Sequence, residues 1–241
     1  MSQTPRVLVV EDDPQMAKYI GLKLDYLGYE VAGQAANESR AIQLARELHP
    51  DIILMDIMLD KDDDGIETAN KILAFYDVPI VYLTAHEDEV LFQRAKMTRP
   101  FGYLVKPFND RDLNLVMDTA TYRHRQKLKL ARALEDARNI INSSFVMIIT
   151  VNNEDKIVEF NKAAEWELGY SHEEIMGKNI LDYLSNKADL NAIRGNISQG
   201  KRCELEVEFQ HKNGQDIGSL LSLSMLKDSH DGPSGILMIS H

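Results

Sequence analysis

Over residues 6–107, short apolar runs alternate with stretches whose apolar residues recur every three or four positions. The runs are RVLVV, EVAGQA, DIILM, PIVYL and GYLV, at intervals of about 20–30 residues, a spacing that suits βα units. Between them, Ala17, Ile20, Leu24 and Leu27 share one helical face, as do Ile66, Ala69 and Ile72 behind Gly65. Asp13 suits a helix N-cap and Pro14 the first helical turn. A strand that is apolar throughout must be covered on both faces, and strands separated by helices pair in parallel. The pattern therefore predicts an α/β domain with a doubly wound five-stranded parallel sheet. Ligands of such sheets bind beyond the carboxyl ends of the strands.

Those ends carry an unusual set of residues. The first run leads straight into Glu11, Asp12 and Asp13. Adjacent carboxylates repel one another, and a plain turn is built more cheaply from Gly or Asn. LMDIML ends the third strand with Asp56, YLTAH the fourth with Thr84, and YLVKPF the fifth with Lys106 before Pro107. A parallel sheet brings Glu11, Asp12, Asp56, Thr84 and Lys106 to one edge. Such an acidic crevice is unfavourable unless a cation sits in it. All-oxygen ligands beside a phosphate imply Mg²⁺. With its charge balanced, Asp56 can serve as a nucleophile toward a phosphoryl group. Lys106 and the Thr84 hydroxyl can then meet the equatorial oxygens. Asp13 is assigned to capping rather than to the metal, and His86 to a helix start at the rim rather than to acid–base work.

Residues 109–142 read as one long helix, because DRDLNLVMDTATYRHRQKLKLARALEDARNI contains no Gly or Pro. Leu130, Leu134, Ala137 and Ile141 follow a heptad step that Leu113, Val116 and Ala120 share, with Arg123 and Lys127 interrupting. Two readings stand: an amphipathic connector, or a parallel coiled coil across a dimer. His124 in this helix is read as a surface residue. From residue 143 onward the pattern changes. EFNKAAEW suggests a strand entering a helix with Asn161 as N-cap. CELEVEFQ alternates Leu205, Val207 and Phe209 with Glu204, Glu206 and Glu208. Asn213-Gly214 marks a hairpin turn, followed by alternating Leu221, Leu223 and Met225 and a last strand, ILMIS. This predicts an α+β domain with an antiparallel sheet.

The net charge is −11 and the sequence pI about 5.1. That balance disfavours nucleic acid and anionic membrane, both of which need a basic face. The single cysteine, Cys203, permits no internal disulfide and suits a reducing compartment. The N-terminus lacks the apolar region of a signal peptide, and no run is long enough to span a membrane. The expectation is a cytoplasmic protein with no membrane insertion.

VVEDD, LMDIML, LTA and YLVKP occur in the order and spacing of a response-regulator receiver domain, which residues 5–122 resemble. The resemblance implies a flavodoxin-like fold with Asp56 as phosphoacceptor. It implies Mg²⁺ held by Asp12 and Asp56, by Glu11 through water, and by the backbone carbonyl of Met58. Thr84 and Lys106 would contact the phosphoryl group, and Tyr103 would be the switch aromatic. The family often has Pro four residues and Gly eight residues after the acceptor. Here Asp60 stands at the first position and Gly65 one place beyond the second, within the acidic stretch DKDDDG. That stretch matches the first half of a calcium EF-hand loop, with Asp60, Asp62, Asp64 and Gly65. Position twelve of the loop is Lys71, which cannot ligate Ca²⁺, and the EF-hand reading is rejected.

Residues 139–241 resemble a PAS domain, carried by VNNEDKIVEFNKAAEWELGYSHEEIMGKNILDYL and the strands after it. A flavin photoreceptor of this family needs a Cys where Ile180 stands. Oxygen-sensing haem needs a helix His, and none occurs between His172 and His211. The expectation is a packed core without a PAS cofactor, a small apolar ligand being the alternative. Trp166 is read as core packing. The expected division is a receiver over 1–122, a helical connector over 123–142 and a PAS domain over 143–241. The function implied is a two-component response regulator that takes a phosphoryl group from a sensor histidine kinase onto Asp56, self-dephosphorylates, and relays the event along the helix. A homodimer would form through the connector and the PAS domain. The alternatives are the N-terminal part of a hybrid sensor kinase, or a receiver–PAS scaffold.

Overall fold

The structure is a computed structural model that describes residues 4–59, 64–85, 89–185 and 203–240. Asp60, Asp62 and His86 lie outside the described residues. The chain divides into two compact units, Met1–Ala131 and Arg132–His241.

In the first unit the elements run β1 (Arg6–Val10), α1 (Pro14–Tyr26), β2 (Glu30–Ala35), α2 (Glu38–Leu48), β3 (Ile52–Asp56), α3 (Gly65–Leu73), β4 (Ile80–Ala85), α4 (Glu89–Met97), β5 (Gly102–Lys106) and α5 (Asp110–Asn142). The strand order is β2-β1-β3-β4-β5, and all pairs are parallel. Successive strand residues enter opposite layers, which explains why the runs are apolar throughout. Leu8, Val10, Ile53, Met55 and Tyr82 pack with Ala41, Leu44, Ile66 and Ile72 of α2 and α3. Val7, Val9, Ile52, Leu54 and Leu83 pack with Ile20 and Leu24 of α1 and with Leu113, Met117 and Ala120 of α5. Asp13 caps α1 by accepting from the Gln15 N–H at 2.8 Å. Lys23 pairs with Asp110 at 2.7 Å, and the Tyr29 hydroxyl donates to Asp118 at 2.6 Å. Both contacts tie the first turns of α5 to α1 and to the connection between α1 and β2.

Two expectations on side chains are overturned. His124 is not a surface residue: it is buried, with its ring edge-on to Phe101 at 5.4 Å. The receiver sheet still covers α5 at that point, one turn beyond Ala120. Trp166 is not core packing either, being 77% exposed. Its helix is one short piece whose buried residues are Ala163, Ala164 and Leu168, and Trp166 lies on the opposite face.

The second unit contains β6 (Ile148–Asn152), β7 (Ile157–Phe160), α6 (Lys162–Leu168), α7 (His172–Ile175), a 3₁₀ turn over Ile180–Tyr183, β8 (Cys203–Gln210), β9 (Asp216–Lys227) and β10 (Pro233–Ser240). The sheet order is β7-β6-β10-β9-β8, with antiparallel pairs. Val207, Phe209, Leu221 and Leu223 are buried with Phe160, Ile149 and Met238, as the alternation predicts. Gly214 takes φ 87° between β8 and β9, a left-handed conformation that costs Gly little. Asn161 caps α6 by accepting from the Ala164 N–H at 3.0 Å.

Candidate metal centre

The order β2-β1-β3 reverses direction at β1 and β3, and the crevice beyond their carboxyl ends is where such sheets bind ligands. Glu11 follows β1 and is locked there by its N–H to the Ala35 carbonyl at 3.0 Å. Asp56 ends β3. Both are nearly covered, Glu11 at 3% and Asp56 at 7% exposed. One carboxylate oxygen each from Glu11, Asp12 and Asp56 lie within 4.8 Å of one another. Asp12 is the least buried of the three.

Lys106, at the end of β5, reaches across this edge. Its Nζ lies 2.6 Å from both Glu11 Oε2 and Asp56 Oδ2. Three carboxylates thus face one ammonium, and an excess of negative charge remains. Burial raises the pKa of Glu11, and the neighbouring Asp56 charge adds to the rise, against the lowering by Lys106. Burial works against the Lys106 ammonium, but its hydrogen bonds to Asp56 and Glu11 outweigh this and raise its pKa. A hard dication suits this donor set, since all three side chains offer oxygen.

The loop after β3 is held against Asp56. The Met58 N–H donates to Asp56 Oδ1 at 3.1 Å, which fixes the carboxylate. Met58 bridges Asp64, and the Gly65 N–H donates to the Ile57 carbonyl at 3.1 Å. A Cβ at Gly65 would stand 1.9 Å from the Asp56 carbonyl oxygen, so this close approach requires glycine. Thr84 reaches the same edge on β4, but its hydroxyl donates to the Ala85 carbonyl at 3.0 Å rather than to the acid cluster. Tyr103 on β5 is partly buried, 6.1 Å from the Tyr82 ring, against the α2–α3 side of the core. Asp64 escaped the sequence reading except as a rejected calcium ligand. An Asp before Gly65 and a helical period was its available signal, and it is the N-cap of α3. Lys71 pairs with Glu38 at 2.8 Å and Glu67 at 2.9 Å on the helix surface.

Residues 7–118 match the family model of the response regulator receiver domain, and residues 144–241 that of the PAS domain. The chain is 38% identical over 122 residues to the transcriptional regulatory protein PdtaR of Mycobacterium tuberculosis, covering 50% of this chain and 58% of that protein. The chain therefore spans little more than half the length of that relative. It is 26% identical to the sensor histidine kinase TmoS of Ectopseudomonas mendocina, over 99% of this chain and 28% of the kinase. The signal receiver domain of a modulated diguanylate cyclase from Desulfovibrio desulfuricans G20 aligns at 39% identity and a TM-score of 0.50, covering 52% of this chain and 99% of that domain. Among the described residues no helix is long and apolar enough to cross a membrane. With an acid cluster closed by Lys106 at the β1–β3 crevice and the family match over the same residues, residues 7–118 form a response regulator receiver domain, followed by a PAS domain over residues 144–241.

Proposed function

We propose that this chain acts as a two-component response regulator, accepting a phosphoryl group on Asp56 from a phosphohistidine of a sensor histidine kinase. The observation that carries the reading is the buried Asp56 carboxylate, 2.6 Å from Lys106 and grouped with Glu11 and Asp12. An Asp56 oxygen forms the new P–O bond as the P–N bond breaks. The imidazole nitrogen keeps that electron pair and takes a proton from water. Lys106 stands beside the attacking carboxylate, where it can compensate charge on the phosphoryl oxygens. Glu11, Asp12, Asp56 and the Met58 carbonyl would hold Mg²⁺, which when bound supplies further neutralisation of the transferring group. The Thr84 hydroxyl would leave the Ala85 carbonyl to donate to the phosphoryl group, with Tyr103 following it. Helix α5 would carry the change toward the PAS domain and a second copy of the chain.

Intact mass after incubation with acetyl phosphate and Mg²⁺ tests this. One phosphoryl adduct is expected in the wild type and none in Asp56→Asn or after chelation. Absence of an adduct with both acetyl phosphate and a phosphorylated kinase would overturn the reading.

The alignment with TmoS along 99% of the chain and 28% of the kinase favours a second reading, in which this receiver–PAS pair is one part of a sensor kinase. Immunoblotting native cells with an antibody to the receiver separates the two. A band near 27.4 kDa supports the regulator, and a much larger one the kinase.

A further inference from the structure

The buried residues of α5 are Leu113, Met117, Ala120 and His124. Steps of four, three and four place them on one face of the helix. His124 is the last of them. The next residues on that side, Lys127 and Leu128, are exposed, Leu128 at 37%. The stripe that holds α5 to the receiver core thus ends on a titratable side chain, where an apolar one would complete it.

The surroundings of His124 suit a neutral ring. It packs edge-on to Phe101 on the α4–β5 connection, with 5.4 Å between centroids. Its Nδ1 is buried and has no hydrogen-bond partner among the described residues. The charged groups that act on the ring are Asp77 on the α3–β4 connection and Lys127 on α5 itself. Asp77 is already engaged, because both its oxygens accept from Lys127 Nζ, at 2.8 and 2.9 Å. An imidazolium has two N–H donors and a full charge. It would meet a ring edge, a carboxylate held by another cation, and that cation. A buried charge without a partner is strongly unfavourable.

We propose that His124 is a proton-operated clasp: the neutral ring closes α5 onto the receiver core, and proton uptake opens the helix over the turn on either side of it. The clasp depends neither on Asp56 nor on a metal. Burial, with Lys127 adding to it against Asp77, holds the closed ring below the ordinary value of 6.5. The open ring titrates near that value, so the open state binds the proton more readily. Closure is therefore fully favoured above 6.5 and weakens as pH falls, by up to about tenfold in the opening constant per pH unit, until the closed ring also titrates.

Amide exchange of the full chain at pH 7.5 and 5.5, corrected for the intrinsic pH dependence of exchange, tests this, with the His124 ring protons titrated by NMR. In the wild type, protection at Arg123–Lys127 should fall about tenfold more than at Leu113–Met117 on acidification. In His124→Phe, which keeps an aromatic ring without a proton site, the two stretches should keep step. Equal loss of protection at Arg123–Lys127 in wild type and His124→Phe overturns the clasp. So does a folded wild type whose His124 ring titrates at or above 6.5, a result that needs no variant to fold.

Discussion

Asn161 shows how one residue can close several accounts of backbone hydrogen bonding. It is fully buried. Its Oδ1 accepts from the Ala164 N–H at 3.0 Å and the Ile148 N–H at 2.9 Å. Its Nδ2 donates to the carbonyls of Ile141 at 3.1 Å and Val146 at 3.0 Å. The capping role is legible in the sequence because Asn before a helical period has a local cause. The other contacts depend on strands and a helix end that only the folded chain brings near. Asn161→Ala would orphan buried donors and acceptors at once, at about 1–3 kcal/mol for each group that water cannot reach. Urea melts should show the second unit destabilised by at least about 2 kcal/mol. A change within error would mean that the network is replaced by water. His124 poses a different residue-scale problem. Its Nδ1 is buried without a hydrogen-bond partner among the described residues. Burial lowers its pKa, against Asp77, while Lys127 adds to the lowering. The unfolded chain therefore binds the proton more readily, and stability is lost as pH falls below about 6.5 toward the folded value. The urea midpoint of the first unit should drop between pH 7.5 and 5.5 more steeply in the wild type than in His124→Phe. Parallel slopes would remove His124 from the acid response.

At the scale of elements, α5 divides into two regimes that its sequence presents as one. The absence of Gly and Pro made a single helix legible, and it runs from Asp110 to Asn142. The heptad pattern could not distinguish residues that face the helix's own sheet from residues that face nothing. Leu113 and Ala120 fill the receiver core, so that part of the seam is unavailable to a partner. Beyond it, Leu130 is 64% and Leu134 60% exposed, on the side of the helix that also carries Ala137 and Ile141. A helix in water with such a stripe is stabilised by covering it, and a parallel two-stranded contact with a second copy does so at heptad spacing. Sedimentation equilibrium should find the wild type dimeric at micromolar concentration. Leu130→Lys with Leu134→Lys should be monomeric at unchanged helicity. A wild type that stays monomeric over the whole range would leave the stripe without this role. The same limit explains why the ion pair between Arg94 on α4 and Asp64 escaped sequence reading: the partners lie 30 residues apart, and no local periodicity marks such a pair.

At the scale of the whole molecule, the receiver's chemistry was more legible than its wiring. Topology alone sends the carboxyl ends of parallel strands to one edge, so the sequence suffices to group Glu11, Asp56 and Lys106. That the ammonium of Lys106 would bond both carboxylates, while Thr84 turned to Ala85, depends on side-chain torsions that topology leaves open. The two units of the chain then allow the metal reading to be located as well as detected. A ligand that binds the folded state stabilises it by RT ln(1 + [L]/Kd), about 2.7 kcal/mol at one hundred times Kd. Scanning calorimetry of the full chain should resolve two transitions, with saturating Mg²⁺ raising the one that belongs to the receiver and leaving the other in place. Asp12→Ala should lose most of that rise, because Asp12 contributes to the cluster without bonding Lys106. Lys106→Met should behave in the opposite sense. It leaves Glu11 and Asp56 buried with no counter-charge, at about 3–5 kcal/mol, so its receiver starts less stable and gains more from the ion than the wild type does. A Mg²⁺ effect that is equal in all three proteins, or that appears in the PAS transition, would place the ion somewhere other than the crevice between β1 and β3.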